Sequence, residues 1–185
     1  MDNGKAIIFW SKSETFLAEL STYLKGKTAL EVFAGNGFLA HQLSVRGAEV
    51  KATSLFAGHD GHQDGLHHPV EEMDATQAIV KFGEEADVLL MSWPTATDAA
   101  YKAILAWGTE KPVVYIGETP CPELPGMSGL SGCASDEFFE VICWQKRFST
   151  YRGNLLEKAG VIRLSKDKLA ASEKKKPASE FKRMN

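Results

Sequence analysis

The sequence predicts an α/β domain, a three-layer α/β/α sandwich around a mainly parallel sheet, and three observations lead to it. Short β-type runs alternate with helix-type segments along most of the chain. A glycine pair, Gly35 and Gly37, follows the first apolar run and opens a helical pattern. The run over residues 87–93, "DVLLMSW", is apolar nearly throughout, as a central strand covered on both faces must be.

Element by element, a helix is expected over residues 13–25. Ser11 or Ser13 can cap it, and Phe16, Leu17, Leu20, Tyr23 and Leu24 recur at 3.6-residue spacing. "TALEVF", residues 28–33, is a first buried strand, and "FLAHQLSVRG" continues as a helix stopped by Gly47. "AEVKATS" is the second strand, "HPVEEMDA" holds a short third one, and "TQAIVKFG" is a helix ending near Gly83. After the apolar strand come a helix, "DAAYKAILAWG", closed by Gly108, and a fifth strand, "PVVYIGE". "PCPELPGMSGLSG" is loop, since proline and glycine fill nearly half of it. "DEFFEVICWQKRF" passes from a helical turn into a strand, and "GVIRLSK" is the last strand. The chain therefore divides into a domain over residues 1–165 and a basic tail over 166–185, expected to be solvated and disordered because it lacks an apolar period. No internal repeat is visible.

Hydrophobic residues are 44% and charged residues 24% of the chain, which excludes the disordered and fibrous classes. No apolar run reaches the roughly 18–20 residues of a membrane span, and no secretory pattern stands at the N-terminus, so a cytoplasmic protein with no membrane partner is expected. Cys121, Cys133 and Cys143 lack the spacing of a disulfide framework or a zinc ribbon and read as free thiols. The net charge of -3 conceals seven Lys/Arg against three Asp/Glu in the tail, which leaves the body acidic. An acidic body does not favour nucleic acid as its main partner.

Strand, glycines and helix in that order let backbone N–H groups approach a ligand, because Gly35 and Gly37 carry no Cβ. With Ala40 their spacing satisfies the Rossmann-like fingerprint G-x-G-x-x-G/A. Two features separate this loop from a NAD site. Glu31 stands inside the strand, and the acid that NAD requires about 20 residues on is replaced by Thr53 and Ser54. The run Glu31-Val32-Phe33-Ala34-Gly35-Asn36-Gly37, E-x-F-x-G-x-G, resembles motif I of the class I S-adenosylmethionine (SAM)-dependent methyltransferases, D/E-x-F/G-x-G-x-G.

That resemblance covers residues 15–164 as an order of elements and implies a Rossmann-like methyltransferase sheet with SAM as cofactor. It implies that the glycine loop lies under the methionine part of SAM. Thr53 or Ser54 would replace the ribose-binding acid, and Asp74 would meet the adenine amino group, with Met73 or Ala75 beside the ring. The residues themselves leave alternatives open: an ordinary tight turn for the glycines, a helix N-cap for Asp74, and a nearby backbone amide as the partner of Glu31.

In family members that act on exocyclic amines, strand four ends in N/D/S-P-P-Y/F. Ser92-Trp93-Pro94-Thr95 stands there, with Trp93 in place of the first proline and Thr95 in place of the aromatic. The resemblance implies that Ser92, Trp93 and Pro94 orient the acceptor; core packing or a pocket wall is the alternative for Trp93. Glu118, ending strand five on the same carboxyl edge, is either a substrate-facing group or a loop cap. Transfer from a sulfonium is an in-line displacement, so positioning carries more of the catalysis than acid or base help.

Pro120-Cys121 matches the nucleophile dipeptide of DNA cytosine-C5 methyltransferases, but it follows strand five and lacks P-P-C-Q, so a loop cysteine is expected. His59, His62, His67 and His68, interleaved with Asp60 and Asp64, have no HExxH spacing and are expected to form a polar lid with no metal. The expectation is a SAM-dependent methyltransferase acting on a small molecule, a protein or a nucleic acid. Its rivals are a degenerate relative kept as a binding or regulatory module, and an NAD(P)-binding Rossmann protein.

Overall fold

The computed structural model describes residues 13–56, 65–120 and 133–175. Along them run α1 (Glu14–Leu24), β1 (Thr28–Val32), α2 (Phe38–Ser44), β2 (Glu49–Ser54), β3 (Val70–Glu72), α3 (Ala75–Phe82) and β4 (Val88–Ser92). α4 (Ala99–Trp107), β5 (Val113–Glu118), α5 (Asp136–Val141), β6 (Ile142–Arg147), β7 (Glu157–Leu164) and α6 (Lys166–Lys175) follow. The strands make one sheet in the order β3-β2-β1-β4-β5-β7-β6. The first five in that order are parallel, and β7 runs antiparallel to both of its neighbours.

Alternation along each central strand feeds two cores. In β4, Val88 and Leu90 join the cluster under α1 and α2, while Leu89 and Met91 join the one under α3, α4 and α5; all four are fully buried. Burial on both faces explains the unbroken apolar run in the sequence. Each fully buried Leu side chain contributes about 1.5–3 kcal/mol.

Local signals set the ends of the helices. Ser13 accepts the Phe16 amide at 3.3 Å and starts α1, whose Phe16, Leu17, Leu20 and Leu24 are buried. Asp74 and Gln77 form a reciprocal capping box at the start of α3. Gly108, at φ 84°, closes α4.

The chain moves outward from β1 through β2 to β3 and returns as β4 on the other side of β1. The order reverses between β1 and β4, and the crevice outside their carboxyl ends is where open α/β sheets bind ligands. The register Val32↔Met91 ends the two strands within a residue of each other, which places the two turns that leave them side by side.

Two expectations need correction. β7 starts at Glu157, ahead of the apolar run at Gly160, because its polar first residues pair with β5 as Glu118↔Glu157 and Gly117↔Lys158. Lys166–Lys175, expected to be disordered, forms α6. It lies on α5, Leu169 packs against the core, and Lys168 Nζ donates to the Ile142 carbonyl at 2.7 Å, so tertiary contact replaces the missing apolar period. No helix among the described residues is long and apolar enough to cross a membrane.

Candidate ligand crevice at the carboxyl edge of the sheet

The turn after β1 is wound in left-handed conformations: Phe33 has φ 62°, Gly35 φ 55° and Gly37 φ 76°. The two glycines serve different ends. A Cβ on Gly37 would lie 2.9 Å from both His68 Cβ and Val70 Cγ2, so the chain entering β3 covers that side. The His67 amide donates to the Asn36 carbonyl at 2.9 Å, and the His67 ring meets Phe38 edge-on. A Cβ on Gly35 would meet no atom within 4 Å among the described residues. Among the described residues, then, the chain entering β3 covers Gly37 and leaves room for a Cβ at Gly35.

β2 anchors this turn from the other side. The Ala34 amide donates to the Thr53 carbonyl at 3.1 Å, and the Gly35 amide to Ser54 Oγ at 3.2 Å. Thr53 is fully buried, and its hydroxyl donates to the Glu31 carbonyl at 3.2 Å, which makes it a strut between β2 and β1. Of the two residues expected at the ribose, the structure turns Thr53 into the sheet and places Ser54 under the glycine loop. Glu31 is 1% exposed, and burial pushes its carboxyl up to about 8 against a smaller opposing pull from the Ala40 amide. Glu31 Oε2 and Asn36 Nδ2 are buried without hydrogen-bond partners among the described residues.

Asp74 caps α3, its Oδ1 accepting the Gln77 amide at 2.9 Å. Ala75 is in the core, and Met73 packs against it.

The turn after β4 also begins on an aromatic residue in a left-handed conformation. Trp93, at φ 50°, donates its amide to the Ile116 carbonyl at 2.7 Å and packs against the cores on both faces of the sheet. Such a residue lies across the end of the strand. Ser92 is half-buried and Pro94 buried. The Ala134 amide donates to the carbonyls of Pro94 and Thr95, at 3.4 and 3.1 Å. Ala134 is itself left-handed, at φ 57°. Phe33, Trp93 and Ala134 are the non-glycine residues with positive φ among the described ones, and all three lie at this edge.

Glu118 ends β5 directly opposite Glu157, so the two carboxylates share one face of an antiparallel pair. The Glu118 carbonyl accepts the Tyr115 hydroxyl at 2.5 Å, and Glu157 accepts that of Tyr151 at 3.0 Å. Burial raises both phenols, and it pushes the Cys133 thiol up to about 11. Sequence reasoning missed Cys133, Ala134, Tyr115, Tyr151 and Glu157, because none of them carries a local motif. His59, His62, Asp60, Asp64 and Cys121 lie outside the described residues. No cluster of His, Cys, Asp and Glu able to hold a metal occurs among the described ones.

This strand order, with an antiparallel β7 between β5 and β6 and a glycine loop at the switch point, defines a divergent class I methyltransferase-like fold. Solved structures share it. The chain is similar to a mutant of MtNAS in complex with SAM, with 17% identity and a TM-score of 0.52, over 82% of this chain and 62% of that one. It thus spans less than two thirds of that protein's length. Magnesium protoporphyrin IX methyltransferase from Synechocystis with bound S-adenosylhomocysteine matches at 11% identity and a TM-score of 0.51, over 80% and 82%. A protein in the NADB-Rossmann superfamily from Streptococcus agalactiae matches at 12% and 0.52, over 85% and 71%. No protein-family model and no curated protein matches the sequence.

Proposed function

We propose that the protein is a SAM-dependent methyltransferase acting on an acceptor held beside Trp93. The observation that carries this reading is the left-handed glycine turn at the switch point, where a Cβ on Gly35 would meet nothing among the described residues. The residues around it fit the cofactor. Phe33, Ala34, Gly35, Asn36 and Gly37 would hold its methionine end, Ser54 its ribose and Asp74 with Ala75 its adenine. When bound, SAM supplies an electrophilic methyl on a sulfonium. Ser92, Trp93 and the Pro94 carbonyl orient the acceptor on the opposite lip, with Glu118 beside them. The methyl leaves S-adenosylhomocysteine behind in an in-line displacement and the acceptor's proton passes to solvent, so the main work of these residues is alignment.

The test is calorimetric titration with SAM, S-adenosylhomocysteine and NAD in parallel, on the wild type and on Gly35→Leu. Micromolar binding of the first two, lost in Gly35→Leu because its side chain fills the opening, is the expected result. Heat with NAD alone would move the chain to the dinucleotide-binding class. A second reading, a binding module without turnover, is favoured by the buried Thr53 and by the Ala134 amide already seated on the Pro94 carbonyl. It predicts SAM binding without methyl transfer to any acceptor in a screen.

A further inference from the structure

The segment that reaches the β4 lip from beyond β5 breaks two local rules at adjacent residues. Ala134 is left-handed, at φ 57°, although it carries a Cβ. Ser135, the N-cap of α5, makes no side-chain cap bond, and its hydroxyl is buried without a partner among the described residues. The Ala134 amide is divided between two carbonyls, Pro94 at 3.4 Å and Thr95 at 3.1 Å, so neither bond is short. The residues on either side are fixed. Cys133 is fully buried, and a Cβ on Gly117 would come within 3.1 Å of its Sγ. The Ser135 carbonyl accepts the Phe138 amide at 3.1 Å and so starts α5.

The rotation that these anchors leave is that of the peptide plane between Cys133 and Ala134. Turned over, it carries Ala134 to negative φ, relieves the strain and points the N–H away from the β4 turn. We propose that this peptide is a two-state switch on the acceptor lip. Seated, its N–H occupies the Pro94 carbonyl and closes it to an acceptor; turned over, it frees that carbonyl. The seated state gains one shared hydrogen bond and bears one left-handed residue, and these opposing contributions are of similar size. The bond that the binding-module reading takes as permanent is thereby reversible. The role of the Pro94 carbonyl towards an acceptor rests on the methyltransferase reading; the switch itself does not.

The experiment measures amide hydrogen exchange at residue 134 and the carbonyl 13C resonances of Pro94 and Thr95 in wild type, Ala134→Gly and Ala134→Val. Glycine takes the left-handed conformation without penalty, so residue 134, corrected for intrinsic rates, should exchange about fivefold more slowly. Valine is β-branched and tolerates that conformation least, so exchange should be about fivefold faster or more. The two carbonyl resonances should move in opposite directions from wild type in the two variants. SAM affinity should agree within about twofold in all three proteins, because the segment lies on the lip opposite the glycine turn. Equal exchange in wild type and Ala134→Gly would overturn the switch, and this arm decides alone where the valine variant does not fold. Exchange of residue 134 in step with the buried strand residues Leu90 and Val114 would overturn it too, since the peptide would then turn only when the domain unfolds. A several-fold change of SAM affinity in Ala134→Gly would overturn the placement on the acceptor lip. The expected order of exchange, in a protein whose wild type takes up no SAM, would retain the switch and remove only the methyltransferase reading.

Discussion

The turns that leave β1 and β4 form the two lips of one crevice, and they begin alike and are held differently. Each starts on a left-handed aromatic residue, Phe33 at φ 62° and Trp93 at φ 50°. The β1 turn is then fastened by its immediate neighbour β2, through Thr53 and Ser54. The β4 turn has a proline in place of a donor and is held through its carbonyls by Ala134, beyond β5. One lip is thus a local construction and the other a long-range one. Backbone strain of this kind costs about 1–3 kcal/mol per residue and persists only where the surroundings over-determine it. Two such residues on facing lips mark the crevice more firmly than either motif does alone.

The largest expected effect tests how the β1 lip is anchored. Burial pushes the Glu31 carboxyl up to about 8, well above the ordinary carboxylate range. Its native pKa is raised, so the stability it contributes is full below the unfolded value and is lost as pH rises towards 8. Wild-type stability to urea should therefore fall between about pH 4.5 and 8, by an amount on the order of a few kcal/mol, and Glu31→Gln should remove that part of the slope. An identical slope in the variant would mean that the carboxyl is not buried in the native state.

Next comes the contrast within the glycine pair. Gly37→Ala meets two carbon atoms at 2.9 Å in a left-handed conformation and should lose about 2–3 kcal/mol in urea unfolding. Gly35→Ala has only the backbone to strain and should lose about 1 kcal/mol. Equal losses would erase the distinction between a covered and an open glycine.

The smallest effect tests the likeness of the lips. At Phe33 and Trp93 the glycine variant should be more stable than the alanine variant by about 1 kcal/mol, since both lose the ring and only alanine keeps the strain. The reverse order at either position would break the parallel.

The β1 lip was legible because its parts lie within a few residues of one another: Glu31, the left-handed glycines and the helix behind them. Even there the sequence left two options for Glu31, and the structure adds that its carboxyl is buried. Asp74 caps α3, a role its position before that helix allowed. The β4 lip was only half legible. Trp93 stood out as a replaced proline, but the carbonyls that follow it are held by Ala134, whose own residue type announces nothing. α6 was missed for the same reason, since Leu169 and Lys168 find their partners on α5 and β6.

From its sequence alone this protein is bound to an α/β sheet of a given element order, because periodicity, caps and glycines act over a few residues and need no partner far away. Which of its two loop glycines is covered by the chain entering β3 was decided only in three dimensions. His68 and Val70 reach Gly37 by way of β3, two strands from β1 in the sheet, and nothing in the local chemistry of Gly35 or Gly37 records which neighbour will arrive.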